Sequence, residues 1–578
     1  PVSAACLQCR SRHLKCDALT PVCSRCSEAG RECVYVKSRR GWKAKRKAEA
    51  DDFELDRARA VTEELADTRL GFSTGGVTPE TAVRKAPTLP DRLAAAAADR
   101  LPPLVDLYYG FFAPTHPFVV PRSCFLVFAD PTTPGAVSAR ARAEFALYVV
   151  PAMAFAGSYY AAAPARPAAL AAVTAALFAA PPTTGTPALR PDVARSPFAV
   201  MGLLLVGIVL HADNKQRAGW LVSGLAVRMA LDLGMHQPGF AETYGGWAAA
   251  DADHPLVRVL QESLRRTVWE AYVVEGFMAA IHMRSTFQLR DVDIAAGLPC
   301  DEADYEAARV PADAPTLADY DDRVYDDEPV EFSSYAYRID AARVLAATLG
   351  LPREPGPRTQ ALVDLVETRA SVWTVHLPEA KRTMRVRSPA GDLGLDELMF
   401  QAQMFLHATL IFLHKPLSDL AMIPTEADDD DSTCTPPAAD CGDPAAIGSC
   451  EASASIVAPA FSPSAIPADA RLAHTQKCLA SANAITALVA SAAAGISRHT
   501  PYLSCCISVA VLVQLTVSVW LPGQFAATAG GGGDPAVDKA VAREKVRLGI
   551  GTLKVLGQIW GTAGMAMSRL REISKTVY

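Results

Sequence analysis

The chain has 578 residues, half of them hydrophobic and a fifth charged, with a formal net charge of −6. That length exceeds one ordinary core and predicts two or more domains, most of the chain being globular. Fourteen cysteines, six of them in a metal-like pattern, exclude a disulfide framework and fit a reducing compartment. The charge is unevenly spread. Residues 1–47 hold twelve Lys and Arg against Asp17, Glu28 and Glu32. A basic module on an acidic remainder is the electrostatic footprint of a nucleic-acid binder.

The chain opens at Pro1, with a polar metal motif where a secretory signal would lie, so no such signal is expected. Cys6, Cys9, Cys16, Cys23, Cys26 and Cys33 are spaced C-x2-C-x6-C-x6-C-x2-C-x6-C, two copies of one unit. Two four-coordinate zinc ions need eight ligand positions. Six thiolates fill them when two bridge both metals, so the spacing predicts a binuclear cluster holding two Zn2+. Each half reads as a short helix and an extended strap, with helices over about residues 9–16 and 26–30. So small a domain has almost no apolar core. Metal binding must supply its folding energy, on the order of 10 kcal/mol per structural zinc.

The cysteine run, the basic stretch Arg10-Ser11-Arg12-His13-Leu14-Lys15 and the turn Pro21-Val22-Cys23 resemble the DNA-binding domain of the fungal binuclear zinc-cluster transcription factors. The resemblance implies that Cys6 and Cys23 bridge the metals and that double-stranded DNA is the partner. It gives base reading on a CGG-type triplet to Arg12 and to His13, where many relatives carry lysine. Arg10, Lys15, Arg25 and Arg31 then read as phosphate contacts, which position without specifying. Residues 37–47 add seven basic residues, Arg39 and Arg40 among them. That run reads as a nuclear address, a DNA-backbone contact or a solvated linker.

Residues 48–70 are helix-compatible, and relatives often carry a dimerising coiled coil here. The best heptad series is Leu55, Ala58, Thr62 and Leu65, short of the three or four apolar heptads such a helix needs. A homodimer and a monomer both stay open. Residues 71–100 read as linker. Gly71-Phe72-Ser73-Thr74-Gly75 matches a hydrolase elbow, but without the strand before it and the helix after it.

From residue 101 the alanine-rich chain predicts a mostly α body, with helices near 140–162, 165–180, 196–212, 215–236 and 256–284. Leu221, Leu225, Met229 and Leu233 form a broad apolar face, and Arg228 and Asp232 stand four apart. The uncharged run at 505–520 falls short of a bilayer span and reads as a buried helix, so no membrane partner is expected. The runs 219–236 and 262–299, with Arg265, Arg266 and Trp269, resemble the all-helical regulatory domain that accompanies the cluster, as do 401–418 and 557–572.

The resulting architecture is a zinc-cluster domain at 1–36, a basic segment and linker at 37–100, and a regulatory domain at 101–424 and 469–578. Residues 425–468 read as a disordered acidic insertion. A second acidic stretch, 301–332, carries Tyr305, Tyr320, Tyr325 and Phe332. It reads as a solvated loop or as a coactivator lure.

The whole predicts a nuclear, non-enzymatic, zinc-dependent regulator of RNA polymerase II transcription that works with coactivators or corepressors. Two other readings of the helical body stay open. One is a receptor whose small-molecule effector controls the DNA module. The other is an enzyme fused to a DNA anchor, against which no nucleophile–base constellation stands in context.

Overall fold

The structure is a computed structural model that describes residues 15–17, 23–29, 102–130, 135–162, 164–245, 247, 251, 253–281, 287–325, 331–352, 356–387, 393–422, 466–520 and 535–577. The chain divides into two compact units, Pro1–Ala86 and Pro87–Tyr578. In the first, Lys15–Asp17 is non-helical and α1 covers Ser24–Glu28. The second predicted helix is thus present two residues early. The end of the first predicted helix is not helical at Lys15 and Cys16, and the rest of it lies outside the described residues.

The second unit is almost wholly helical. It opens with α2 (Pro103–Leu107), which runs through a π-turn at Tyr108–Phe112 and breaks at Pro114 and His116. Then come α3 (Phe125–Ala129), α4 (Ala139–Glu144), α5 (Val150–Gly157) and α6 (Ala165–Leu177). The hairpin of α7 (Pro197–Ala212) and α8 (Gln216–Leu233) follows. Ser196 caps α7 ahead of Pro197, an efficient start because proline's missing N–H would have been unpaired there. Gly234, at φ 77°, closes α8 in the left-handed region.

Every residue of α7 is buried. Its partner α8 does not meet it through the predicted leucine face. Gly219, Val222, Ser223, Ala226, Val227 and Ala230 are buried instead, while Leu221, Leu225, Met229 and Leu233 are half-buried. The reason is close approach. A Cβ on Gly219 would stand 2.6 Å from the His211 backbone nitrogen, and one on Gly207 2.2 Å from Ser223 Oγ. Small residues therefore form the seam. Asp232 pairs with Arg195 at 2.7 Å and Arg228 reaches Gln288, so the expected Arg228–Asp232 pair does not form.

After the short α9 (Phe240–Thr243) comes the central helix α10 (Pro255–Ile281), buried on all sides from Leu256 to Ala280 except at Arg258. The acidic stretch behind it is folded into the body through α11 (Glu302–Glu306) and α12 (Leu317–Asp322). Tyr305, Tyr320 and Phe332 are 1, 0 and 8% exposed. This corrects both the loop and the lure readings, because those rings are core anchors. Only Tyr325, at 83%, faces solvent among these four.

The remaining elements are α13 (Ser334–Leu349), α14 (Pro357–Val375), α15 (Glu379–Arg382), and the hairpin of β1 (Arg385–Arg387) with β2 (Leu393–Leu395). The two strands are antiparallel, with Val386 opposite Gly394. Beyond them lie α16 (Glu397–His414), α17 (Ala468–Ser491), α18 (Leu503–Trp520), α19 (Pro535–Leu556) and α20 (Gly561–Val577). The order of packing is α10 on α13, α13 on α16, α16 on α17, α17 on α18, and α18 on both α19 and α20.

The uncharged helix α18 is a buried core helix, and among the described residues no helix is long and apolar enough to cross a membrane. Its Gln514, 1% exposed, donates through its amide nitrogen to Asn483 Oδ1 at 2.8 Å, which pairs that donor inside the protein. The predicted insertion at 425–468, the linker motif at 71–75 and the heptad series at 55–65 lie outside the described residues, apart from Ile466–Ala468.

Candidate metal centre and regulatory core

The metal centre is organised by the start of α1. Cys23 immediately precedes the helix, and its carbonyl accepts from Cys26 N at 3.1 Å and Ser27 N at 3.0 Å. The Cys26 N–H also approaches Cys23 Sγ at 3.4 Å. Backbone donors and the positive end of a helix both favour thiolate over thiol, the form that binds metal.

Asp17 reaches the same end. Its two carboxylate oxygens accept from Ser24 N at 3.3 and 3.1 Å. A carboxylate on an otherwise unpaired helical N–H is a capping interaction. Asp17 was not among the sequence candidates, although an acidic residue beside a ligand cysteine and shortly before a helix was its signal.

The Cys16 Sγ, the Cys23 Sγ and an Asp17 carboxylate oxygen lie within 4.8 Å of one another. Thiolates on one tetrahedral zinc stand about 3.8 Å apart at the usual bond length. Cys23 and Cys26 are 0 and 3% exposed, and Cys16 is half-buried. Gathered, shielded thiols at a helix start suit zinc, whose soft sulfur ligands and closed tetrahedral sites match this donor set. Asp17 already serves Ser24 and so acts beside the thiols as a bracket between strap and helix.

Lys15 is exposed next to this centre, and Arg25 lies within α1. Cys6, Cys9, Cys33, Arg10, Arg12, His13, Arg39 and Arg40 lie outside the described residues.

The body is centred on the charges of α10. Isolated buried charge is costly, and each charge here has partners. Glu262 accepts from Arg266 Nε at 2.7 Å, from Arg265 Nε at 3.1 Å and from Cys300 N at 2.9 Å. Arg266 continues to the carbonyls of Pro117 (3.0 Å) and Cys300 (2.9 Å), and its guanidinium lies 4.0 Å from the centre of the Tyr305 ring. Trp269 Nε1 donates to Gly297 O at 2.9 Å. The Arg265, Arg266 and Trp269 pattern thus clamps the following loop onto the helix.

About two and three and a half turns beyond Glu262, Glu270 and Glu275 repeat the device. Glu270 takes Arg338 from α13 and His116 from the first helix break. Burial alone would raise the Glu270 carboxyl, but the Arg338 guanidinium and the His116 bond outweigh it and hold it well below the usual carboxylate range. Glu275 receives the backbone N–H groups of Gln288 and Leu289 at 3.0 and 3.1 Å.

Two family models match the chain. The fungal Zn(2)-Cys(6) binuclear cluster domain matches residues 4–43. The fungal specific transcription factor domain matches residues 193–328, from just before α7 to just beyond α12. A C6 finger domain transcription factor, iacK, of Pestalotiopsis fici is 28% identical over 631 aligned residues, spanning 100% of this chain and 81% of its own length. A tropolone cluster transcription factor, tropK, of Talaromyces stipitatus is 38% identical over 77 residues, 13% of each chain. A negative regulator of pleiotropic drug resistance of Candida glabrata is 31% identical over 107 residues, 18% of this chain and 10% of its own. No solved structure gives a significant match. The cysteine-bearing module, which binds two zinc ions, and the helical body match the two domains of the fungal zinc-cluster transcription factors, and together they support a DNA-binding transcription regulator similar to those relatives.

Proposed function

We propose that the protein is a nuclear regulator of RNA polymerase II transcription that reads CGG-type triplets through the residues after Cys9. The observation that carries the reading is the gathering of the Cys16 and Cys23 sulfurs at the start of α1, with Cys26 buried beside them. Cys6, Cys9, Cys16, Cys23, Cys26 and Cys33 hold the zinc ions, with Cys6 and Cys23 bridging. The zinc ions would supply a rigid hub that keeps the straps together.

Arg12 and His13 face base edges, where Arg reads guanine N7 and O6 as a bidentate pair. Arg10, Lys15, Arg25, Arg39 and Arg40 meet phosphates and fix the register. The basic run at 37–47 is the nuclear address. The helical body regulates, by recruiting coactivators or corepressors.

The body works as a regulator and not as an enzyme. Its nearest approach to a catalytic row is Glu270–His116–Thr500, where His116 Nε2 lies 3.1 Å from Thr500 Oγ1. Those three residues are 0, 0 and 2% exposed, and Glu270 is taken up by Arg338, so a substrate has no way in. An effector seated between the central helices would have to part them. The apolar cleft between α10, α13, α16 and α18, lined by Phe277, Leu345, Phe405, Phe412, Cys506 and Val509, has free space of ≈ 10 Å³. That is about enough for one water.

Selection of bound duplexes from a random pool by the full chain tests the reading. Enrichment of CGG triplets is the expected result, and their spacing gives monomer or dimer binding. Enrichment of an unrelated sequence, or of none, would exclude it.

A further inference from the structure

The hairpin of α19 and α20 carries a charge opposite to that of the body it belongs to. Residues 535–577 hold eight Lys and Arg against Asp538, Glu544 and Glu572, in a chain whose net charge is −6. The arrangement on α19 is directional. Ala542, Val546, Leu553 and Leu556 are buried, and α19 packs closely on α18, where a Cβ on Gly549 would come within 2.3 Å of Val511 Cγ2. That seating fixes which face of α19 is exposed.

Lys539, Arg543, Arg547 and Lys554 are all exposed. At 3.6 residues per turn they fall within an arc of about 80° and along about 22 Å of helix. Arg571 and Lys575 are exposed on α20. Arg547 also meets Glu544 at 2.9 Å, with both side chains about two-thirds exposed (68 and 66%). Such a pair is weak and exchanges readily for a stronger anion.

We propose that this stripe is a second, sequence-independent DNA surface that binds the phosphate backbone beside the sequence read by the zinc cluster. Charge complementarity selects the partner. The stripe follows one helix, and its charges recur about every 6 Å on the first two turns. A DNA strand presents a phosphate every 3.4 Å of axial rise, about six over that length. Contacts to phosphates carry no sequence information, so the stripe adds affinity and holds position but does not choose sequence. The proposal rests on the DNA-binding reading of the chain.

The test compares the full chain with a K539Q/R543Q/R547Q/K554Q variant. The substituted side chains are exposed, and an unchanged thermal midpoint and helical content confirm that the variant is folded. Each protein is titrated with a duplex that is limited to its selected site and with one extended on both sides, from about 50 to 200 mM salt. On the extended duplex the variant is expected to bind about tenfold or more weakly at low salt. Its log K against log[salt] slope is expected to be shallower by about 3.6, from about 0.9 for each of four lost contacts. On the short duplex the two proteins are expected to match, which shows that the cluster is intact.

Equal affinity and slope on the extended duplex would overturn the proposal while leaving the zinc-cluster reading in place. So would a variant that keeps its DNA affinity but loses binding to an aspartate-rich peptide. Absence of wild-type binding to any duplex would overturn both.

Discussion

Glu270 and Arg338 form a fork-to-fork ion pair, with Arg338 Nη1 2.8 Å from one carboxylate oxygen and Nη2 2.9 Å from the other, both side chains fully buried. The same carboxylate accepts from His116 at 2.7 Å and from the Tyr335 hydroxyl. One residue of α10 therefore ties together the first helix break, α13 and, through His116, Thr500 ahead of α18. Glu270→Gln leaves Arg338 buried without its counter-charge. The expected cost is about 3–5 kcal/mol, read as a lower urea midpoint. Replacing both partners by apolar residues of similar size should cost less than the single change, a coupling that a double-mutant cycle measures directly.

The seam between α7 and α8 gives a second expectation. Alanine favours a helix over glycine by about 1 kcal/mol. At Gly219, however, the added methyl would meet the His211 backbone at 2.6 and 2.9 Å, and backbone cannot swing away. Gly219→Ala should therefore destabilise the body by about 1–3 kcal/mol, as overpacking does. Gly551, where a Cβ would meet nothing within 4 Å, is the control. Gly551→Ala should be neutral or stabilising.

Acid should act on the body through its buried histidines. Burial pushes His116, His407 and His414 down, and burial with Lys477 nearby does the same to His474. For His414 the value falls to about 3, with His474 and Lys477 adding to burial. Around His414 stand His474 at 3.0 Å, Glu367 at 2.9 Å and, on Glu367, Lys477. Groups lowered in the fold take up protons on unfolding below about 6.5, so their stability is present above that pH and is lost as pH falls. His499 runs the other way. Burial lowers it, but its 2.6 Å bond to Glu397 prevails and raises it, so its contribution is lost as pH rises through its folded value. A fully buried neutral histidine contributes a slope of about 1.4 kcal/mol per pH unit well below 6.5. Burial pushes Glu302 up to about 8, which works the opposite way over this range, so the histidine part is read as a difference: between about pH 7 and 5.5 the urea midpoint of the native protein should drop relative to that of His414→Gln.

At the metal centre, Asp17→Ala removes the acceptor of Ser24 N. The expected loss is about 1 kcal/mol, seen as weaker zinc retention against a competing chelator. Asp17→Asn keeps an acceptor and should retain most of it. Loss of all zinc from Asp17→Asn would instead make Asp17 a metal ligand. Cys23→Ser should release both ions, because Cys23 is proposed to bridge them. Retention of one ion would assign the bridge elsewhere.

The sequence showed some of this directly. Spacing alone revealed the cysteine module, because metal ligands must recur at fixed offsets, and the helical period located α6, α7, α8, α10 and α18 to within a few residues. Other features depend on pairings that no local pattern carries. His116 meets Glu270 across 154 positions and Thr500 across 384. Tyr305 and Tyr320 were hidden among carboxylates, whose charge predicted solvent although the rings insert into the core. The leucine face of α8 misled because apolar size is a poor guide where two backbones must touch, and Gly207 and Gly219 decided that seam instead. Asp17 was legible only once the start of α1 was fixed.

The most direct test of the central claim joins zinc content to DNA binding in the same preparation of the full chain. Two zinc ions per chain are predicted, with binding to a CGG duplex that disappears on chelation and returns when zinc is restored. One ion per chain, or binding that persists after the zinc is removed, would contradict it.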